Sequence, residues 1–226
     1  MTTIAFDGEY LVADGRVTRD KEIITDTDLK ITPCDFEYIV SGNDVRVQVT
    51  AFACSGSVNI IEDFEYLFKR RKQVKDTELN DFILRQQKRA HRTKWSFSVI
   101  LVTDCGNFLC LGTHGDHQPS RTLKDGDVVV LGSGSIHCVN LYRSAFDAVK
   151  HACIKDPYTG GVIRYYNCRT KEAGICTEEF LIQFRLQQKY KAICVSLNKL
   201  FVEPVFSLVS RLWTSVSHLL PNRFIN

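Results

Sequence analysis

The residues that could carry chemistry stand at the very start of the chain. Thr2 and Thr3 follow Met1, and a threonine hydroxyl is a poor nucleophile until a base stands beside it. Methionine before a small residue is readily trimmed. Its loss would leave Thr2 with a free α-amine, an unperturbed base of pKa roughly 7.7–8.0, so nucleophile and base would share one residue. Many chains begin Met-Thr, and the pair says little alone. Ala13-Asp14-Gly15-Arg16-Val17-Thr18 and Asp28-Leu29-Lys30-Ile31 follow. Taken singly, the first is an ordinary turn and the second an exposed strand lysine. Phe52-Ala53-Cys54-Ser55-Gly56-Ser57 runs a strand into a helix through small residues. Backbone N–H groups at such a helix N-terminus suit an oxyanion; a plain N-cap by Ser55 or Ser57 is the alternative. Last come Gly132-Ser133-Gly134-Ser135 and Asp156-Pro157-Tyr158-Thr159-Gly160-Gly161-Val162. The glycine-serine segment lacks the Lys-Ser/Thr of a phosphate loop and the third glycine of a dinucleotide fingerprint.

These segments need elements to hold them. Asp7-Gly8 between Thr3-Ile4-Ala5-Phe6 and Tyr10-Leu11-Val12-Ala13 is a strong hairpin signal. It places the chain inside a sheet almost from its first residue, where termini ordinarily fray. Strands are expected over 36–40 and 45–53. A helix is expected over 57–72, with Val58, Ile61, Phe64 and Phe68 at helical spacing. A second helix is expected over 76–90, then strands over 95–103, 107–112 and 126–131. A helix over 137–154, a strand over 161–167 and a helix over 178–200 complete the series. Runs of strands followed by runs of helices point to α+β layers, not alternating βαβ units. Two sheets between two helical layers satisfy that order.

Composition narrows the function classes. The chain has 226 residues, 44% of them hydrophobic, enough for one sizeable core. A formal net charge of +3 gives no global pull toward nucleic acid or membranes. The basic residues Lys69 to Lys75 and Arg85 to Lys94 read as a solvated end of a helix pair, without the interleaved aromatics of a nucleic-acid surface. Nine cysteines include no C-x-x-C pair, so they read as reduced, core-filling thiols. His114 and His117 lie in a polar stretch without a third ligand; no metal and no cofactor are expected. Residues 1–12 lack the basic start and apolar stretch of a signal peptide, which leads to a cytoplasmic expectation. From Pro204 to Leu220 apolar residues recur on one side of a helix too broken by Ser and Arg to span a bilayer.

Taken together and in order, the segments resemble proteasome β subunits and their bacterial HslV-type relatives, the threonine peptidases of the N-terminal nucleophile (Ntn) hydrolase superfamily. That family opens on Thr-Thr-Ile, follows with an Ala-Asp-Ser/Gly-Arg-Ala-Thr-like segment, then a lysine on the next strand. It carries Ser-Gly-Ser before its first long helix, Gly-Ser-Gly before its third, and Asp-x-Tyr-Ser-Gly-Gly after that. Here the counterparts are Thr2 to Ile4, Ala13 to Thr18, Lys30, Ser55 to Ser57, Gly132 to Ser135 and Asp156 to Val162.

The resemblance covers about residues 2–195. It implies a 2–196 hydrolase domain with a 197–226 amphipathic extension. The fold it implies is α+β, a four-layer αββα sandwich of two antiparallel sheets between helical layers. The function it implies is a threonine-type endopeptidase in a homo-oligomeric ring, acting on protein or peptide, with an ATPase or gating ring as partner. Thr2 would be the nucleophile and its own amine the base. Lys30 would favour the ionised hydroxyl, and Asp14 would hold Lys30. The Gly56 N–H would form the oxyanion hole; Ser133, Asp156 and Thr159 would surround and orient the amine. A lysine cation beside that amine disfavours its protonated form, and a neighbouring carboxylate keeps the lysine charged. Five features depart from the pattern: a short opening hairpin, extra residues around 33–47, Cys54 next to the oxyanion segment, Thr159 where the family has serine, and a tail after about residue 196. Two other readings are a non-catalytic subunit of such a ring and an Ntn amidase acting on a small amide.

Overall fold

The computed structural model describes residues 2–197 apart from 20, 43–44, 94–95, 113–117, 123–126, 139–141 and 143. The His114/His117 pair, Met1 and the amphipathic stretch from Pro204 therefore lie outside the described residues. The chain divides into two compact units, Met1–Cys176 and Thr177–Asn226.

In the first unit the order begins with strands β1 (Thr3–Phe6), β2 (Tyr10–Ala13), β3 (Val17–Arg19), β4 (Glu22–Thr25), β5 (Ile31–Val40) and β6 (Val45–Gly56). Helix α1 (Val58–Phe68), strand β7 (Gln73–Lys75) and helix α2 (Asp76–Thr93) follow. Then come β8 (Phe97–Thr103), β9 (Asn107–Gly112), β10 (Gln118–Thr122), β11 (Val129–Gly132), a 3-10 turn (Ser133–His137), α3 (Ala145–Lys155), β12 (Arg164–Asn167) and β13 (Glu172–Ile175). The second unit contains α4 (Glu178–Leu197). Thr177 caps α4 by accepting the Phe180 N–H on its hydroxyl at 3.1 Å, with Glu178 and Glu179 in the first turn, where the helix dipole favours negative charge.

The protein is mixed α+β. Five strands form one sheet in the order β11-β1-β2-β12-β13, and six form another, β10-β9-β8-β6-β5-β7; β3 and β4 form a separate pair. The five-stranded sheet is antiparallel throughout. The six-stranded sheet is not: β7 runs parallel to β5, with Tyr38 beside Val74. Gln73–Lys75 is too short to signal a strand, so the expectation of two purely antiparallel sheets missed it.

Two apolar clusters account for the order. Ile4, Phe6, Leu11 and Ala13 from one sheet pack with Ala51, Ala53, Ile100, Val102 and Phe108 from the other. Alternation along these strands sends the intervening residues to the opposite face. There Phe52, Cys54, Phe97, Val99 and Leu101 meet Ile60, Phe64 and Phe68 of α1 and Leu79, Phe82 and Ile83 of α2. The 57–72 expectation overran α1, whose C-cap is Lys69. The 137–154 expectation began too early: α3 starts at Ala145, where Ser144 accepts the Asp147 N–H at 3.2 Å. Gly132 and Gly134 instead deliver the chain into a 3-10 turn.

Candidate active site

Register brings the singled-out segments together. Ile4 pairs with Ala13, which sets Asp14 across from Thr3. The Thr3 N–H donates to Asp14 Oδ1 at 2.8 Å, and the Asp14 N–H returns to the Thr3 carbonyl at 3.2 Å. Ile31 pairs with Ala53, which sets Lys30 at the level of Cys54. The Lys30 ammonium donates to Asp14 Oδ1 at 2.8 Å and to the Arg16 carbonyl at 2.6 Å. The Asp14 side chain is 0% exposed and that of Lys30 4%, so this is a buried ion pair. Burial pushes the Lys30 pKa below its ordinary value, and Asp14 acts against that shift.

Asp14 is tied on its other oxygen as well. Its Oδ2 accepts the Gly160 N–H at 3.0 Å and the Arg16 N–H at 3.3 Å. The Gly15 N–H donates to the Gly160 carbonyl at 3.1 Å. Gly160 belongs to the turn after α3, and Asp156 organises that turn: its Oδ2 accepts the Thr159 hydroxyl at 2.7 Å and the Ser133 hydroxyl at 3.4 Å, while Oδ1 accepts the Tyr158 N–H at 3.0 Å. Thr159 Oγ1 lies 2.8 Å from Thr3 Oγ1. Ser133, half-buried, and the buried Asp156 and Thr159 thus form one polar chain that reaches Thr3, the neighbour of Thr2.

Thr2 is buried (7% exposed). It lines one narrow cleft together with Lys30, Gly56 and Cys54. The cleft's empty space, mouth included, is about 450 Å³. Gly132 determines how closely the chain passes Thr2. Its φ is +90°, and a side chain there would begin 1.9 Å from the Thr2 carbonyl oxygen. Gly56 is under the same constraint, with φ +119° and a would-be Cβ 2.0 Å from the Ser96 carbonyl oxygen. Ser57 occupies the N-cap position of α1, as the plain alternative has it, but no side-chain hydrogen bond caps the helix. Cys54 is fully enclosed and its thiol is pushed well above its usual range by burial.

The structure therefore gathers Thr2, Lys30 and Gly56 at one cleft, with Asp14 behind it on the Lys30 ammonium. Thr159 contacts Thr3, and Asp156 and Ser133 are linked to Thr3 through Thr159. The sequence did not point to Thr3 as the link between the two groups, nor to Arg16. The Arg16 guanidinium pairs with Asp26 at 2.7 Å and donates to the Pro157 carbonyl at 2.8 Å, bracing the Asp156 turn. Cys153 of α3 was also missed; burial and the Asp14 charge push its thiol up to about 11. Among the described residues no group of three or more His, Cys, Asp or Glu side chains could hold a metal ion. No described helix is long and apolar enough to cross a membrane.

Comparison with protein-family models gives no match, and comparison with curated proteins gives none either.

Proposed function

We propose that this protein is a threonine-type endopeptidase whose nucleophile is Thr2, freed at its amine by cleavage before it. The observation that carries the reading is the buried Asp14–Lys30 pair opening onto the cleft that Thr2 lines. A lysine so placed has no obvious packing value, because an apolar residue would fill the space without the desolvation cost. Beside a hydroxyl it supplies the positive charge that favours ionisation.

In the proposed reaction the Thr2 hydroxyl oxygen attacks the peptide carbonyl carbon as its proton passes to the Thr2 amine. Lys30 stabilises the developing charge on the oxygen. The Gly56 N–H stabilises the charge on the carbonyl oxygen, a contribution of the kind worth about 3 kcal/mol where it has been removed. The C–N bond then breaks, the amine delivers its proton to the leaving nitrogen, and a Thr2 ester remains. Water attacks that ester with the amine again as base, releasing the acid and restoring the hydroxyl. Ser133, Asp156 and Thr159 hold Thr3 and, through it, the start of β1.

The reading includes the Ntn-type four-layer αββα arrangement, supported by a sheet-to-sheet core and a separate core under α1 and α2. It further includes assembly into a homo-oligomeric ring in the cytoplasm, an ATPase or gating ring as partner, and no nucleic acid or membrane in its action. The test is an intact mass beginning at Thr2, with peptide hydrolysis that disappears in Thr2→Ala. An epoxyketone, which needs hydroxyl and amine on one residue, is expected to label Thr2. Labelling of Cys54, or hydrolysis surviving Thr2→Ala, would overturn the assignment.

A further inference from the structure

The cleft has a direction. On α1, Val58, Ile61 and Glu65 all line it, at helical spacing that puts them on one face. Val58 follows Gly56 and so lies at the reacting end. Glu65 is seven residues on, roughly 10 Å further along the helix at 1.5 Å per residue. The wall from the reacting end outward is therefore aliphatic, then acidic.

Charge along that wall is one-sided. Glu65 accepts the Thr32 hydroxyl at 2.6 Å and is half-buried. Asp28 stands on the rim, exposed. Neither carboxylate forms an ion pair among the described residues. Among the described residues Lys30 is the one cationic side chain lining the cleft, and its ammonium is already engaged by Asp14. A half-buried carboxylate at the end of an apolar wall attracts a cation on an aliphatic stem, since a lysine or arginine side chain buries its methylenes and presents its charge at the tip.

We propose that this cleft selects peptides bearing a lysine or arginine side chain next to the bond to be cut, with Glu65 as the specificity-determining residue and Asp28 as an electrostatic guide at the rim. The proposal rests on the cleft being the substrate site, and its test separates the two.

Binding is measured on the full-length Thr2→Ala protein, so that chemistry is not needed. Matched fluorescent peptides carry arginine, leucine or glutamate at the one position, and anisotropy is read at low and high salt. The arginine peptide is expected to bind at least tenfold tighter than the other two, with the gap narrowing as salt screens the charge. Glu65→Gln, which keeps the Thr32 hydrogen bond, is expected to bring the arginine-to-leucine ratio to near one. Glu65→Lys is expected to favour the glutamate peptide. Equal affinities in Thr2→Ala, or an arginine-to-leucine ratio unmoved by Glu65→Gln, would overturn the proposal. Turnover of the same peptides by the wild-type protein is read in parallel. Cationic selectivity in binding without turnover of any peptide would sustain the proposal and overturn the peptidase reading alone.

Discussion

Lys30 and Asp14 meet at 2.8 Å with both side chains almost wholly withdrawn from solvent. Breaking such a pair leaves an uncompensated charge inside the protein. Burial therefore predicts a cost when Lys30 is replaced. Asp14 keeps the N–H groups of Thr3, Gly160 and Arg16, which softens the loss. A stability decrease of about 3 kcal/mol is expected for Lys30→Met, at the low end for a broken buried pair, together with a fall in kcat/KM of at least about 100-fold. Urea unfolding and peptide turnover measure the two separately. Unchanged turnover would exclude the catalytic role, and unchanged stability would exclude the burial argument.

The pH dependence follows from the same pair. Burial lowers the Lys30 pKa in the folded protein below 10.5. Between that lowered value and 10.5 the unfolded chain binds the proton and the folded one does not. Stability associated with this group is thus present above the unfolded value and lost as pH falls through the folded one. For catalysis the sign is opposite, because the ammonium is the working form. The profile of kcat/KM is expected to rise as the Thr2 amine loses its proton, and to fall again below pH 10.5 as Lys30 does. Lys30→Arg would be slow, since a planar fork replaces a compact ammonium, and its falling limb should vanish. A falling limb that persists in Lys30→Arg would assign it to another group.

Gly56 and Gly8 both have positive φ, +119° and +91°, but their surroundings differ. A Cβ on Gly56 would lie 2.0 Å from the Ser96 carbonyl oxygen, whereas one on Gly8 would meet nothing within 4 Å. Gly8→Ala therefore bears only the backbone penalty, about 1 kcal/mol. Gly56→Ala adds a backbone clash and is expected to lose on the order of 4 kcal/mol. Denaturant midpoints of the two variants compare them directly, and equal losses would show that the strand-to-helix junction yields more easily than its geometry implies.

Much of this site was legible because local signals are strong where the chain must turn. Asp7-Gly8 marked the hairpin that sets Asp14 opposite Thr3, and small residues marked the strand end at Gly56. Other features depended on pairing that no local pattern encodes. Lys30 reads as an exposed strand lysine until the register of Ile31 with Ala53 carries it under Arg16 and Asp14. The link through Thr3 to Thr159 spans 156 residues of sequence, and a lone threonine in a strand carries no sign of such a partner. Helix boundaries failed where capping overrode periodicity: Val139 and Leu141 extend the apolar pattern of α3, but Ser144 starts it.

Cys54 offers a chemical control on the whole assignment. It lines the cleft beside Thr2, and a cysteine there invites the reading of a thiol nucleophile. Reactivity belongs to the thiolate. Burial and the Glu65 charge both hold the Cys54 proton in place well above the usual range, and the residue is only 3% exposed. Cys105 and Cys194 are exposed. Brief treatment of the folded protein with iodoacetamide at pH 7.5 is expected to alkylate Cys105 and Cys194 and to spare Cys54, with peptide mass mapping as the readout. Denaturant should then open Cys54 to the reagent. Cys54→Ser is expected to retain peptide hydrolysis, at some loss of stability from the buried hydroxyl. Rapid alkylation of Cys54 in the native state, accompanied by loss of turnover, would move the nucleophile from Thr2 to that thiol.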